Sequence, residues 1–109
     1  MQNKFERTSS VSMGQYRSGK GEIFDLSWSK WKEPFYADYW MYFIDVKHDK
    51  WAHTYTVFAT KSKYPDEEGA KMLATSYCVE EIKKILDDVS IDGPHLVWYP
   101  LNCEGWAML

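Results

Sequence analysis

Asp25 and the tripeptide Asp45-Val46-Lys47 are the residues whose types and spacing come nearest to supporting a reaction. Two carboxylates on neighbouring strands can hold Mg²⁺. A lysine two residues beyond one of them can stabilise developing charge or position an attacking water. That combination would suit phosphodiester hydrolysis. The pattern is short enough for chance to supply it, and the bland reading is a strand-end aspartate beside a solvated lysine.

The order of elements also departs from that of metal-dependent nucleases with this arrangement. There the motif strand leads into a crossover helix, whereas here a polar turn and a returning strand come after Lys47. Other constellations are thinner. His48, Asp49 and His53 gather around one turn and His95 lies far along the chain, but structural zinc sites favour cysteine pairs at short spacing. A cysteine nucleophile would need Cys78 or Cys103 beside a histidine in space. Ser18-Gly19-Lys20-Gly21 lacks the spacing and the following helix of a phosphate-binding loop. Arg17, Lys20, Lys30 and Lys32 interleave with Tyr16, Trp28 and Trp31, a pattern that can stack and neutralise single-stranded nucleic acid. Glu22, Asp25, Glu33 and Asp38 counter that charge, so direct nucleic-acid binding is not expected. Exposed tryptophan and tyrosine could equally stack on a sugar or a nucleotide. No catalytic set, cofactor or metal site is assigned.

The composition constrains the class of protein more than the motifs do. With 109 residues, 45% hydrophobic and 27% charged, the chain is expected to form one globular domain over 1–109, residues 1–7 loosely held. The net charge of −3 argues against a general phosphate binder. Basic residues predominate in 1–20 and 47–64 and acidic residues in 65–109, so a basic protein surface is the better electrostatic partner. Two cysteines are too few for a disulfide scaffold. Reduced thiols in a cytosol and one bridge from Cys78 to Cys103 both stay open. No apolar run approaches the roughly 20 residues of a membrane span, and a cytoplasmic protein is expected.

Aromatic residues make up 17% of the chain and concentrate between Trp28 and Phe43, where Trp28, Trp31, Phe35, Tyr36, Tyr39, Trp40, Tyr42 and Phe43 fall together. Each can bury roughly 150–250 Å². A small domain is not expected to hide all of them in one core, so some should face a partner, a ligand or a second copy.

The elements that must position these residues emerge from periodicity. Thr8–Arg17 and Glu22–Trp28, joined by the glycine-rich turn, read as a hairpin with Phe24, Leu26 and Trp28 on one face. Pro34 breaks regular structure and leaves Trp31, Phe35 and Tyr36 in a loop. Tyr39–Val46 is the strongest strand. Trp40, Tyr42, Ile44 and Val46 take one face and Tyr39, Met41, Phe43 and Asp45 the other, so both faces need cover. His53–Lys61 returns. Asp66–Val89 is one long helix, with Pro65 suited to its first position and Ala70, Leu73, Tyr77, Ile82, Ile85 and Val89 on its apolar stripe, widened by Ala74, Cys78 and Leu86. Glu67 is placed to pair with Lys71, and Glu80 with Lys84. Asp87 and Asp88 oppose the helix dipole and should fray its end. His95–Tyr99 reads as another strand, and the apolar tail as an edge strand or clip.

The fold expected is α+β: an antiparallel sheet of about four to six strands with one helix, about 66–89, across one face. The other face, with Tyr39, Met41, Phe43 and Phe58, is covered by the chain's own arm and tail or by a partner or second copy. The function expected is that of a non-catalytic protein-binding module. By analogy of size and composition only, it has the style of a phage- or mobile-element-type inhibitor of a host enzyme or nucleic-acid-handling complex. Its contacts would be Trp31, Phe35 and Tyr36 flanked by Lys30, Lys32 and Asp38. The alternative is a nuclease-like or nucleotide-binding protein using Asp25, Asp45 and Lys47.

Overall fold

The computed structural model describes residues 6–32 and 37–88, and the backbone of residues 106–108. Four antiparallel strands form a meander: β1 (Val11–Arg17), β2 (Ile23–Lys30), β3 (Tyr39–Lys47) and β4 (Ala52–Thr60). A short β5 (Trp106–Met108) pairs with Tyr55, Thr56 and Val57 of β4 and extends the sheet at that edge. Between β4 and β5 runs a helix in three segments: α1 (Glu67–Met72), a π-helical segment (Leu73–Cys78) and α2 (Val79–Asp88). The architecture is α+β, as the strand and helix periods imply. The strand expected at His95–Tyr99 lies outside the described residues, as does Val89.

Both faces of β3 are buried, and by different means. On the helix side Tyr42, Ile44 and Val46 join Phe24, Leu26, Tyr55 and Val57 beneath Ala70, Ala74, Cys78, Ile82 and Leu86. On the other side Met41 and Phe43 pack with Trp31, flanked by Tyr39 and Phe58. The cover for this second face comes from the chain itself. Arg7 and Trp31 form an antiparallel bridge, and the Thr8 amide donates to the Lys30 carbonyl at 2.9 Å. The Arg7 guanidinium then sits 4.2 Å from the centre of the Phe43 ring.

Two cores take in six of the eight aromatics between Trp28 and Phe43, while Phe35 and Tyr36 lie outside the described residues. Trp28, Trp31, Tyr39, Trp40, Tyr42 and Phe43 are all buried or half-buried. Lysines cover half-buried rings at the sheet margins, Lys71 over Trp28 and Lys61 over Trp40. Their aliphatic stems can cover apolar surface while the charge stays in water.

The π segment explains why Tyr77 leaves the stripe assigned to it. Val79 lies nine residues after Ala70, and nine steps of about 100° end half a turn away in a uniform α-helix. Yet Ala70, Leu73, Ala74, Cys78, Val79, Ile82, Ile85 and Leu86 all pack on the sheet. The wider π turn takes up one extra residue and brings the second half of the stripe back into phase. Tyr77, which would have continued the first half, is turned out and is 48% exposed.

The helix begins two residues later than its proline suggests. Asp66 is the N-cap, its side chain accepting from the Gly69 amide at 2.9 Å, and Pro65 precedes it. The ion pairs also differ from those expected. Glu67 pairs with Lys30 of β2, Glu80 with Lys83 and Glu81 with Lys84. At the other end Asp87 does not fray the helix. Its carboxylate accepts from the Tyr16 hydroxyl at 2.7 Å and the Gly19 amide at 2.9 Å, tying the helix to the β1–β2 turn.

These two bonds make a pH prediction. The Gly19 amide first, and the Tyr16 hydroxyl second, hold the Asp87 carboxyl below its ordinary value of 3.8. A lowered folded pKa contributes stability that is complete above the unfolded value and is lost as pH falls through the folded one. Thermal melts of wild type and Asp87→Asn should therefore differ at neutral pH and converge as pH falls through and below 3.8. A constant difference at every pH would contradict this role.

The edge strand β1 carries a bulge. Ser12 pairs with Ser27 and Gln15 with Asp25, so Met13 and Gly14 together face Leu26 alone. Gly14 adopts φ +88° there, and the bulge lets Met13 and Tyr16 both pack on the helix-side core. A Cβ on Gly14 would meet nothing within 4 Å. Gly14→Ala should still cost about 1 kcal/mol or more, from backbone strain alone. An unchanged urea midpoint would show that the bulge is not held at that dihedral.

Candidate functional site

Of the contacts expected around the β2–β3 connection, Trp31 does not lie at the surface. Trp31 is 3% exposed and stacks on Phe43, ring centres 4.7 Å apart and planes 12° apart. Its backbone N–H donates to the Met41 carbonyl at 3.2 Å. This corrects its assignment as a surface anchor: alternation along β2 continues past Ser27 and Ser29 and delivers the indole to the second core. Phe35 and Tyr36 lie outside the described residues. Lys30 is engaged by Glu67, and Lys32 pairs with Glu6 at 2.7 Å. Asp38 is exposed, and its carbonyl accepts from the Lys61 amide at 2.9 Å.

The alternative set is closer in space but committed elsewhere. Asp25 pairs in register with Lys47, and Ser27 with Asp45, so all three chemical residues share the face opposite the helix. Asp45, however, accepts from Thr54 through Oδ1 at 2.6 Å and from Arg7 through Oδ2 at 2.5 Å. That arrangement anchors the N-terminal arm and fills the oxygens a cation would need. Among the described residues no group of three histidine, cysteine, aspartate or glutamate side chains is placed to hold a metal.

Asp25 and Lys47 instead line a polar cleft of about 560 Å³ with Gln15, Glu22, His48 and Asp49. The Lys50 amide donates to His48 Nδ1 at 3.2 Å, so Nε2 carries the hydrogen and donates to Glu22 at 3.0 Å. The ring stacks on Trp51, 5.5 Å between centres, and the histidine side chain is only 6% exposed. His48 thus holds a turn together. His53 packs edge-on against Tyr55, and burial lowers its pKa. His95 and Cys103 fall outside the described residues, and Cys78, the last residue of the π segment, is buried.

A different surface comes from the π segment itself. Met72 is 64% exposed and Tyr77 48% exposed. With Lys63, Tyr64, Gly69, Leu73 and Ser76 they line an open groove of about 670 Å³. Its floor is fixed. The Trp40 indole N–H donates to the Tyr64 carbonyl at 2.7 Å, and the Tyr64 amide donates to the Thr60 carbonyl at 2.9 Å. Gly69, having no side chain, leaves the groove open where Asp66 caps the helix.

This groove and the expected loop contacts lie at one end of the sheet. Asp38 is bonded to Lys61, just before Lys63, and Lys30 is bonded to Glu67 at the helix start. Tyr42 reaches the same corner, its hydroxyl donating to Glu67 at 3.5 Å. Burial first, and the Glu67 carboxylate second, push its pKa well up. The phenol therefore stays protonated and acts as a fixed donor.

Reading the sequence missed Met72 and Tyr77. The signal that points to them is the one-residue slip between the stripe Ala70, Leu73, Ala74 and the stripe Cys78, Ile82, Ile85. No helix among the described residues is long and apolar enough to cross a membrane. No protein-family model, curated protein or solved structure matches this chain.

Proposed function

We propose that this chain is a non-catalytic protein-binding module whose contact surface is the groove between the Lys63–Tyr64 turn and the helix. One observation carries the reading: the π segment turns Tyr77 out beside the exposed Met72, over a floor that hydrogen bonds hold rigid. Tyrosine anchors concentrate binding energy, and methionine fits irregular partner surfaces. π turns recur at functional sites because a uniform helix would be the less strained choice. Lys32 and Asp38, exposed at the same end, extend the surface as a polar rim, and Phe35 and Tyr36 are proposed to add to it.

The test is capture from a source lysate on immobilised wild type beside a Met72→Ser/Tyr77→Ser variant. Loss of two anchors at about 2 kcal/mol each should cut retention of a stoichiometric partner by at least about tenfold, with the melting temperature unchanged. Equal retention by the two proteins, or no protein retained by wild type, would contradict the reading.

A further inference from the structure

The solvent side of the helix carries a second pattern, which shares Met72 and Ser76 with the groove and runs on past it at both ends. Glu68, Met72, Ser76, Glu80 and Lys84 recur every four residues and are all exposed. They therefore form one line along the helix, kept straight by the π segment. The line is acidic at its first turn and ends on Lys84, and Ser76 stands midway, eight residues from each.

We infer that this line docks on the same line of a second copy, the two helices antiparallel about a two-fold axis at Ser76. Charge decides the direction. Antiparallel alignment sets Glu68 of one copy opposite Lys84 of the partner subunit, and symmetry repeats the pair. Parallel alignment would set glutamate beside glutamate and lysine beside lysine. Glu68 has no ion pair among the described residues. Lys84 is 74% exposed and among the described residues pairs with Glu81, at 2.9 Å, an exposed pair that contributes little and is easily exchanged.

Size and shape agree with that direction. Ser76 at the crossing point allows the axes to approach to the ~8–10 Å of packed helices. Tyr77 of the partner subunit then comes level with position 75 of the first copy. That is three residues, or about 4.5 Å, from Met72, within reach of a thioether–aromatic contact. Glu80 faces Met72 of the partner subunit with its carboxylate drawn aside to Lys83, 3.2 Å away, which leaves its methylene stem for the contact. Self-association of this kind goes beyond the partner-binding reading. The residues that test it, Glu68 and Lys84, do not line the groove.

Sedimentation equilibrium across a concentration series up to about 1 mM, where a dissociation constant corresponds to roughly −4 kcal/mol, reads the contact. Wild type is expected to approach twice the monomer mass. Glu68→Lys and Lys84→Glu should each weaken association by about tenfold, and the double variant Glu68→Lys/Lys84→Glu should return to within about threefold of wild type. Both positions are exposed, so circular dichroism should show the native fold throughout. Monomer at every concentration would overturn the proposal. So would a dimer indifferent to the single reversals, or a double variant no better than the singles. The dimer would cover Met72 and Tyr77, so partner capture is run on dilute chain, where mass action leaves the monomer, and the groove reading then stands or falls separately.

Discussion

Deletion of Ser76 should leave the protein folded, its stability within about 2 kcal/mol of wild type, whereas deletion of Lys83 should unfold it. The contrast is one of phase. Removing one residue from Leu73–Cys78 turns the π segment into α-helix. Cys78, Val79, Ile82, Ile85 and Leu86 then succeed Ala70, Leu73 and Ala74 at ordinary three-to-four spacing, so the same residues still meet the sheet. Removing Lys83 rotates the last turn of the helix by about 100° and lifts Ile85 and Leu86 from the core. Each is buried, and losing a buried aliphatic side chain costs about 2–5 kcal/mol. Together they approach the whole stability of a domain this size, roughly 5–15 kcal/mol. Urea unfolding monitored by circular dichroism checks both variants. Equal damage from the two deletions would mean that the π segment does not set the phase. The Ser76 deletion should also bring Tyr77 nearer the sheet and weaken whatever the groove binds, which separates the turn's role in function from any role in stability.

Trp31→Ala should cost about 3–5 kcal/mol, and Tyr77→Ala less than about 1 kcal/mol. Both are aromatic residues that an interface would favour, and the sequence gives no immediate reason to rank them this way. The ranking comes from what each touches. Trp31 fills the second core against Phe43 and Phe58, and its backbone links β3 to the strand edge where Arg7 pairs. Its loss opens a cavity beneath Arg7 and loosens the arm whose guanidinium satisfies Asp45. Tyr77 leaves no cavity because half of it already faces water. Trp31→Phe should recover most of the loss, since a smaller ring still stacks on Phe43. A Trp31→Ala protein as stable as wild type would return Trp31 to the surface and reinstate the loop as an anchor site.

The sheet was legible because its signal is local. In Tyr39–Val46 every residue but Asp45 is apolar or aromatic, and both faces are largely buried. Asp66 and Gly69 likewise announce the helix start within four residues. Trp31 was less legible because Pro34 draws attention to a loop, although the alternation Ser27, Ser29, Trp31 carries three residues further than the apolar pattern Phe24, Leu26, Trp28. The contact of Arg7 with Asp45 spans 38 positions, and no short-range pattern encodes it. The outward turn of Tyr77 is recorded only as a slip of one residue between two stripes, easily taken for a broad stripe on a uniform helix. The chemistry suggested by Asp25, Asp45 and Lys47 was legible as residue types. Only the geometry shows Asp45 bonded on both oxygens.

The most direct measurement is hydroxyl-radical labelling of the folded protein, read residue by residue by mass spectrometry. Methionine, tryptophan and tyrosine react in proportion to their contact with water, and this chain has them on both sides of the question. In dilute solution, where the chain is monomeric, Met72 and Tyr77 should label fast, while Trp31, Met41 and Tyr42 stay protected until the protein unfolds. If Trp31 and Met41 label as readily as Met72, the second core does not exist and the face opposite the helix is open. If Tyr77 is protected, the helix is uniform and the groove is not the contact surface.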